Sequence, residues 1–125
     1  MGNYYGGINA GSTPAPTAMN TTITHQQRDK AHSIIRLTAI HYCLTPGQIT
    51  GNRQDHAISD ARHVAMYILD KEKVCGKYKI GIIMNRNHTI VTYAIAKVKS
   101  LLSIKDPAIT AAVRDIENIL SIINN

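Results

Sequence analysis

Five side chains that can hydrogen-bond to nucleic-acid bases lie within one seven-residue stretch of the chain. They are Arg86, Asn87, His88, Thr89 and Thr92. Arginine and asparagine can each form two hydrogen bonds with a single base, guanine and adenine respectively, and a threonine methyl can contact the methyl of thymine. Placed at the start of a helix, these residues have the chemistry to read base edges in the major groove of double-stranded DNA.

Basic residues flank this stretch on both sides. The chain has 14 Lys and Arg against 8 Asp and Glu, a formal net charge of +6 with neutral histidines. Residues 1–27 contain none of these four types, and residues 70–99 alone contribute +5. Lys77 and Lys79 precede the stretch and Lys97 follows it. Such a concentration indicates a polyanionic partner, although a short lysine run is also typical of a solvated connector.

The apolar pattern around the stretch predicts a helix-turn-helix. A short helix over 78–84, a turn at 85–87 and a longer helix from His88 form that motif. Apolar residues recur at helical spacing over 91–102, which gives the second helix one buried face. Because asparagine is a preferred N-cap residue, Asn87 either caps this helix, contacts a base, or does both.

The rest of the chain also predicts helices, and no segment alternates with the period of a strand. Helical spacing indicates a helix over 24–43, and Thr45-Pro46 opens a very short one. A third helix is expected to be capped by Ser59 or Asp60, and the final helix follows the pair Asp106-Pro107. We therefore predict an all-α fold, a compact bundle of about six helices.

Length and composition limit the class of protein. The chain has 125 residues, 44% of them hydrophobic, which is enough for one small domain. We predict that residues 23–125 form that domain, behind a flexible leader at 1–22 rich in Gly, Ser, Thr, Asn and Pro. The sequence contains neither a membrane span nor a secretory signal. A cytoplasmic location follows, with Cys43 and Cys75 as reduced thiols.

Catalytic, metal and cofactor sites are not indicated by the sequence. Two pairs of histidines are seven residues apart, but no cysteine or carboxylate completes a tetrahedral set around them. Cys75 and His88 lack a third catalytic group. We expect no catalytic residue, no bound metal or cofactor, no small-molecule substrate and no membrane partner.

Three segments follow a known pattern in their residue types and in their order along the chain. Residues 59–66 read Ser-Asp-Ala-Arg-His-Val-Ala-Met, residues 85–91 read Asn-Arg-Asn-His-Thr-Ile-Val, and residues 115–120 read Asp-Ile-Glu-Asn-Ile-Leu. They resemble the C-terminal DNA-binding domain of the replication initiator DnaA, with its helix Ala-Arg-Pro-Arg-Gln-[Ile/Met]-Ala-Met and its signature Gly-Arg-Asp-His-Thr-Thr-Val. The resemblance runs from about 23 to 123 and implies a DnaA C-terminal, Trp-repressor-like fold.

The resemblance also implies a role for each matching residue. Four residues at the signature positions match family residues that contact the initiator box in the major groove. They are Arg86, Asn87, His88 and Thr89. Tyr93 falls at a phosphate-contacting position of the recognition helix.

Two further regions match DNA-contacting parts of the family. Arg62 and His63 match an Arg-Gln pair that holds phosphate. Arg53 and Gln54 lie in the loop whose arginine enters the minor groove.

Departures from the family pattern predict weaker DNA binding or an altered sequence preference. The signature aspartate is Asn87 here, and asparagine favours adenine where a carboxylate favours the amino group of cytosine. The second signature threonine is Ile90, which lacks a hydroxyl for phosphate. The loop at 51–57 has a net formal charge of zero, and Asp60 replaces a basic residue.

The predicted function is sequence-specific binding of double-stranded DNA in replication initiation or its regulation. No Gly-x-x-x-x-Gly-Lys-[Ser/Thr] loop occurs in the chain, so no ATPase activity is expected. A nucleoid-associated accessory factor of phage or plasmid type could mark an origin, compete with a host initiator or regulate transcription. The alternative is a helical protein-interaction module that has lost DNA affinity and binds host replication proteins.

Overall fold

The computed structural model describes residues 22–124, and α-helix is the only regular secondary structure within that range. The predicted flexible leader, residues 1–22, lies outside the described residues except for Thr22. The prediction of an all-α fold with six helices is confirmed. The helices are α1 His25–Tyr42, α2 Pro46–Thr50, α3 His56–Lys71, α4 Lys77–Met84, α5 His88–Ser103 and α6 Pro107–Ile123.

Four of these helices begin at a residue whose side-chain oxygen accepts a hydrogen bond from the first turn. Thr24 and Thr45 form reciprocal capping boxes at α1 and α2, in which a glutamine three residues on bonds back to the cap. Asn87 accepts from an amide in the first turn of α5, and Asp106 does the same at α6. The predicted starts of these helices follow from this local chemistry.

The predicted start of α3 is wrong. The helix begins at His56, with Asp55 in the N-cap position, and not after Ser59 or Asp60. Ile58 is 3% exposed, and the extra helical turn carries its side chain into the core. The Ser59 hydroxyl donates to the carbonyl oxygen of Gln54, so it braces the helix start from inside the first turn.

Helix α3 forms the centre of the bundle. It packs against each of the other five helices. Eight of the nine residues from Ala61 to Leu69 are buried, and His63 is the exception. A helix that is buried on nearly all sides needs apolar residues all round. The composition of α3 therefore determines where the shorter helices α2 and α4, and the long helix α5, can pack.

The turn between α4 and α5 depends on a close approach of two backbones. Asn85 ends α4 in the left-handed conformation, with φ of 59°. The amide of Arg86 donates to the carbonyl oxygen of Gly81 at 2.8 Å. Gly81 is buried, and a Cβ atom there would overlap with the carbonyl oxygen of Arg86. The tight helix-turn-helix therefore requires glycine at position 81.

We expect Gly81→Ala to destabilise the protein by about 1–3 kcal/mol, because the added methyl must push the turn away from α4. The free energy of unfolding, measured in urea, checks this result. Gly47→Ala is the matched control, since a Cβ at Gly47 meets only the Thr45 hydroxyl at 4.0 Å. The control should be neutral or slightly stabilising, and equal losses in both variants would contradict the close-approach explanation.

Candidate nucleic-acid interface

On the first turns of α5 the polar side chains face solvent, together with Ile90, which is 41% exposed. His88, Thr89 and Thr92 are exposed. Val91 and Ala94 are fully buried. The Thr92 hydroxyl donates to the carbonyl oxygen of His88 at 2.9 Å, which fixes its direction on the exposed face. This is the arrangement a recognition helix needs, with the base-reading side chains outward and the other side anchored.

Asn87 caps α5. Its Oδ1 accepts a hydrogen bond from the amide of Ile90 at 2.9 Å. This bond uses the carbonyl oxygen of the side chain and leaves the amide nitrogen as a donor, and the residue as a whole is exposed. The geometry establishes capping and remains compatible with contact to a base. Both interpretations of Asn87 from the sequence therefore remain possible for the same side chain.

An aromatic pair extends this surface onto α4. The rings of Tyr78 and His88 are stacked, with centroids 4.6 Å apart and an interplanar angle of 15°. Tyr78 is 42% exposed. Sequence reasoning missed Tyr78, because its only signal was its place between Lys77 and Lys79. The stack fixes the orientation of the His88 imidazole at the start of the recognition helix.

Tyr93 lies one turn further along α5 and is 62% exposed. Its ring meets His63 of α3 edge to face, with centroids 6.3 Å apart. Burial lowers the pKa of His63, and the positive charge of Lys97 lowers it further. The imidazole is therefore neutral at neutral pH. His63 and Tyr93 can offer hydrogen bonds to a phosphate, while Lys97 supplies the charge.

Arg62 is buried, which changes the role expected for it. It is 5% exposed. Its guanidinium donates to the carbonyl oxygens of Gln48, Ile49, Gly51 and Arg53, at 2.7 to 3.2 Å. These bonds hold the segment between α2 and α3 from inside the protein. Arg62 therefore acts as a scaffold for the loop, and its contact with phosphate stays a prediction.

The guanidinium of Arg86 is also engaged with backbone carbonyls. Its guanidinium donates to the carbonyl oxygens of Asn85 and Gly51. Gly51 thus accepts from Arg62 and Arg86 together, which ties the turn before α5 to the loop before α3. Burial lowers the pKa of both guanidinium groups, and the charge of Arg86 lowers that of Arg62 further. Arginine nevertheless stays charged at neutral pH because its ordinary pKa is so high.

The remaining residues predicted to contact DNA differ in their exposure and in their side-chain partners. Arg53 is exposed but forms an ion pair with Asp55, with Nη2 and Oδ2 2.6 Å apart. Lys79 is partly buried and its Nζ lies 3.5 Å from Oε1 of Gln27 in α1. Gln54 and Lys77 are both exposed.

Metal-binding clusters and membrane spans are absent from the described part of the chain. Among residues 22–124, no group of three or more His, Cys, Asp and Glu side chains is arranged to hold a metal ion. Within the same range, no helix has the length and apolarity needed to cross a membrane.

Comparison with known proteins supplies the family. Residues 31–98 match the family model described as "Bacterial dnaA protein helix-turn-helix". The chain belongs to this DnaA helix-turn-helix family. The match runs from within α1 to within α5, so it contains the loop before α3 and the first part of α5. It confirms the resemblance that the signature residues indicated.

Relatives with the name chromosomal replication initiator protein DnaA come from several bacteria. The protein of Tropheryma whipplei (strain Twist) is 35% identical over 69 residues, which cover 55% of this chain and 14% of the relative. The protein of Deinococcus radiodurans is 27% identical over 104 residues, which cover 83% of this chain and 22% of the relative. That of Thermus thermophilus is 36% identical over 69 residues, covering 54% and 16%. The chain thus spans less than a quarter of the length of these relatives.

We expect Arg62→Met to destabilise the protein by about 2–4 kcal/mol, because several carbonyl groups lose their donor and the loop must find water in its place. Urea unfolding measures the change. Arg36→Met is the control, because Arg36 is an exposed arginine of α1, and its change should stay within about 0.5 kcal/mol. A similarly small effect at Arg62 would show that the loop does not depend on it.

Proposed function

We propose that residues 22–124 form a sequence-specific module that binds double-stranded DNA, with α5 in the major groove. The observation that carries this proposal is the exposed start of α5, where Asn87, His88, Thr89 and Thr92 face solvent from one anchored helix. Membership in a helix-turn-helix family supports it. The excess of positive charge over residues 70–99 supplies the long-range attraction to a polyanion.

Base preference is proposed to depend on three side chains at the start of α5. Asn87 offers its amide nitrogen to a base acceptor, with adenine as the partner that asparagine suits best. His88, whose ring is oriented by Tyr78, and Thr89 contact the neighbouring bases. Arg86 serves mainly to position the turn, since its guanidinium is engaged with Gly51.

Phosphate contacts are proposed on either side of the helix. Lys77 and Thr92 lie at the start of α4 and on the first turns of α5, and Tyr93 and Lys97 lie further along α5. His63 adds a neutral hydrogen-bonding group from α3. Arg53 and Gln54, on the loop that Arg62 supports, reach the adjacent groove, where the Arg53 guanidinium contacts a phosphate at its edge.

The biological setting follows from the relatives, whose name describes chromosomal replication initiators. We propose that this chain acts in replication initiation or its regulation, at the nucleoid. The module itself binds and does not hydrolyse nucleotide, so initiation would require partner replication proteins. Competition for initiator sites or transcriptional control are consistent with the same interface.

A second candidate function is protein interaction, and one feature of the surface favours it. A groove between α1 and α6 is lined by four apolar and three polar residues, namely Leu37, Ile40, Ile116 and Ile119 with His41, Asp115 and Asn118. Ile40 is 66% exposed. Apolar residues exposed together are typical of a docking surface. This groove is on α1 and α6, apart from the exposed start of α5, so the two functions do not exclude each other.

The test of DNA binding is a fluorescence-anisotropy titration against duplexes selected from a random pool, at several salt concentrations. Binding through phosphates predicts that log K falls with log salt by about 0.9 for each phosphate contacted. Lys97→Ala should lower the salt slope by about 0.9, the value of one phosphate contact, and should reduce the affinity for all duplexes alike. Arg114→Gln removes one charge from α6 and should change neither value. Selection that yields no duplex with measurable affinity would exclude the proposed function.

The role of Asn87 can be separated from its capping by Asn87→Asp. Aspartate caps a helix as well as asparagine, so the free energy of unfolding should not fall. The preferred base should change from adenine toward cytosine, with a discrimination of about 1–3 kcal/mol at one position of the site. Parallel selections with the two proteins measure the change. Identical selected sequences would assign Asn87 to capping alone.

A further inference from the structure

The loop between α2 and α3 has a fixed backbone and one arginine side chain that can change partners. The carbonyl oxygen of Arg53 accepts from Arg62 at 2.9 Å, and that of Gly51 accepts from Arg62 and Arg86. Three bonds thus hold the loop backbone to the body of the domain. The Arg53 side chain itself is 67% exposed, so its guanidinium can change partners without any movement of the backbone.

Asp55 occupies an N-cap position without capping the helix. Five of the six described helices have an N-cap residue with a side-chain oxygen. Four of those residues accept a bond from the first turn, whereas Asp55 makes no such bond. Its Oδ2 instead lies 2.6 Å from Nη2 of Arg53. The carboxylate therefore forms an ion pair with the arginine two residues before it and does not cap the helix.

We infer that Asp55 is a built-in competitor of DNA phosphate for Arg53, and so sets how strongly this loop contributes to binding. The inference rests on the proposed function. A phosphate that approaches the loop must displace the Asp55 carboxylate from the guanidinium and must also tolerate its negative charge. Asp55 thereby limits the loop to a weak contact, and α5 supplies most of the affinity.

The expected size of the effect follows from the exposure of the pair. Both side chains are more than half exposed, and an ion pair of this kind is weak. Releasing Arg53 should therefore strengthen DNA binding by up to about fivefold. If the released arginine then neutralises one more phosphate, the salt slope should steepen by about 0.9.

The experiment is a double-mutant cycle on the whole chain, with the duplex selected by the parent protein as the probe. The variants are Asp55→Asn, Arg53→Ala and the double variant. Asp60→Asn is the matched control, because it removes the same charge from the first turns of the same helix. Asparagine is a good N-cap residue, so the melting temperature of Asp55→Asn should not fall.

The inference predicts that Asp55→Asn tightens binding by about three- to fivefold more than Asp60→Asn. In the Arg53→Ala background this difference should vanish, since no guanidinium is left to release. Equal effects of Asp55→Asn and Asp60→Asn in both backgrounds would show a general charge effect and overturn the inference. A parent that binds while Asp55→Asn has no effect contradicts this inference alone. Failure of parent and variant alike contradicts the proposed function as well.

Discussion

Two guanidinium groups meet at one backbone carbonyl, and the geometry of the candidate interface depends on that meeting. Gly51 accepts from Arg62 of α3 and from Arg86 of the helix-turn-helix turn. Like charges brought together in a partly buried place are held only where carbonyl dipoles compensate them. The C-terminal end of α2 supplies those dipoles, through Gln48 and Ile49. The loop before α3 and the turn before α5 are thereby locked to each other.

The basic residues therefore have different roles in the structure, although the sequence alone does not distinguish them. Arg62 and Arg86 hold the loop and turn backbones, while Arg53 and Lys77 remain exposed beside the shorter polar side chains at the start of α5. His88 is oriented by Tyr78, and His63 by Tyr93. A frame of this kind presents a preorganised surface, so little side-chain freedom has to be lost when a ligand binds.

Most of the fold could be predicted because the signals that determine it are local. Thr24, Thr45 and Asp106 cap the helices that follow them, and apolar spacing distinguishes the buried face of each helix. The helix-turn-helix was predicted to within a residue, and capping was one of the two roles expected for Asn87. The start of α3 was missed, because the polar run before Ile58 is typical of a loop, and Asp55 stands in the N-cap position without forming a capping bond.

By itself, the sequence determined the helices apart from the start of α3, their order, and the stretch from Arg86 to Thr92 as the candidate reading surface, since each depends on residues only a few positions apart. Only the tertiary structure decided which basic residues face outward. Arg86 meets Gly51 across 35 positions, and Arg62 meets Ile49 across 13. A long charged side chain takes the partner that folding brings within its reach, and no pattern of neighbouring residues specifies that partner.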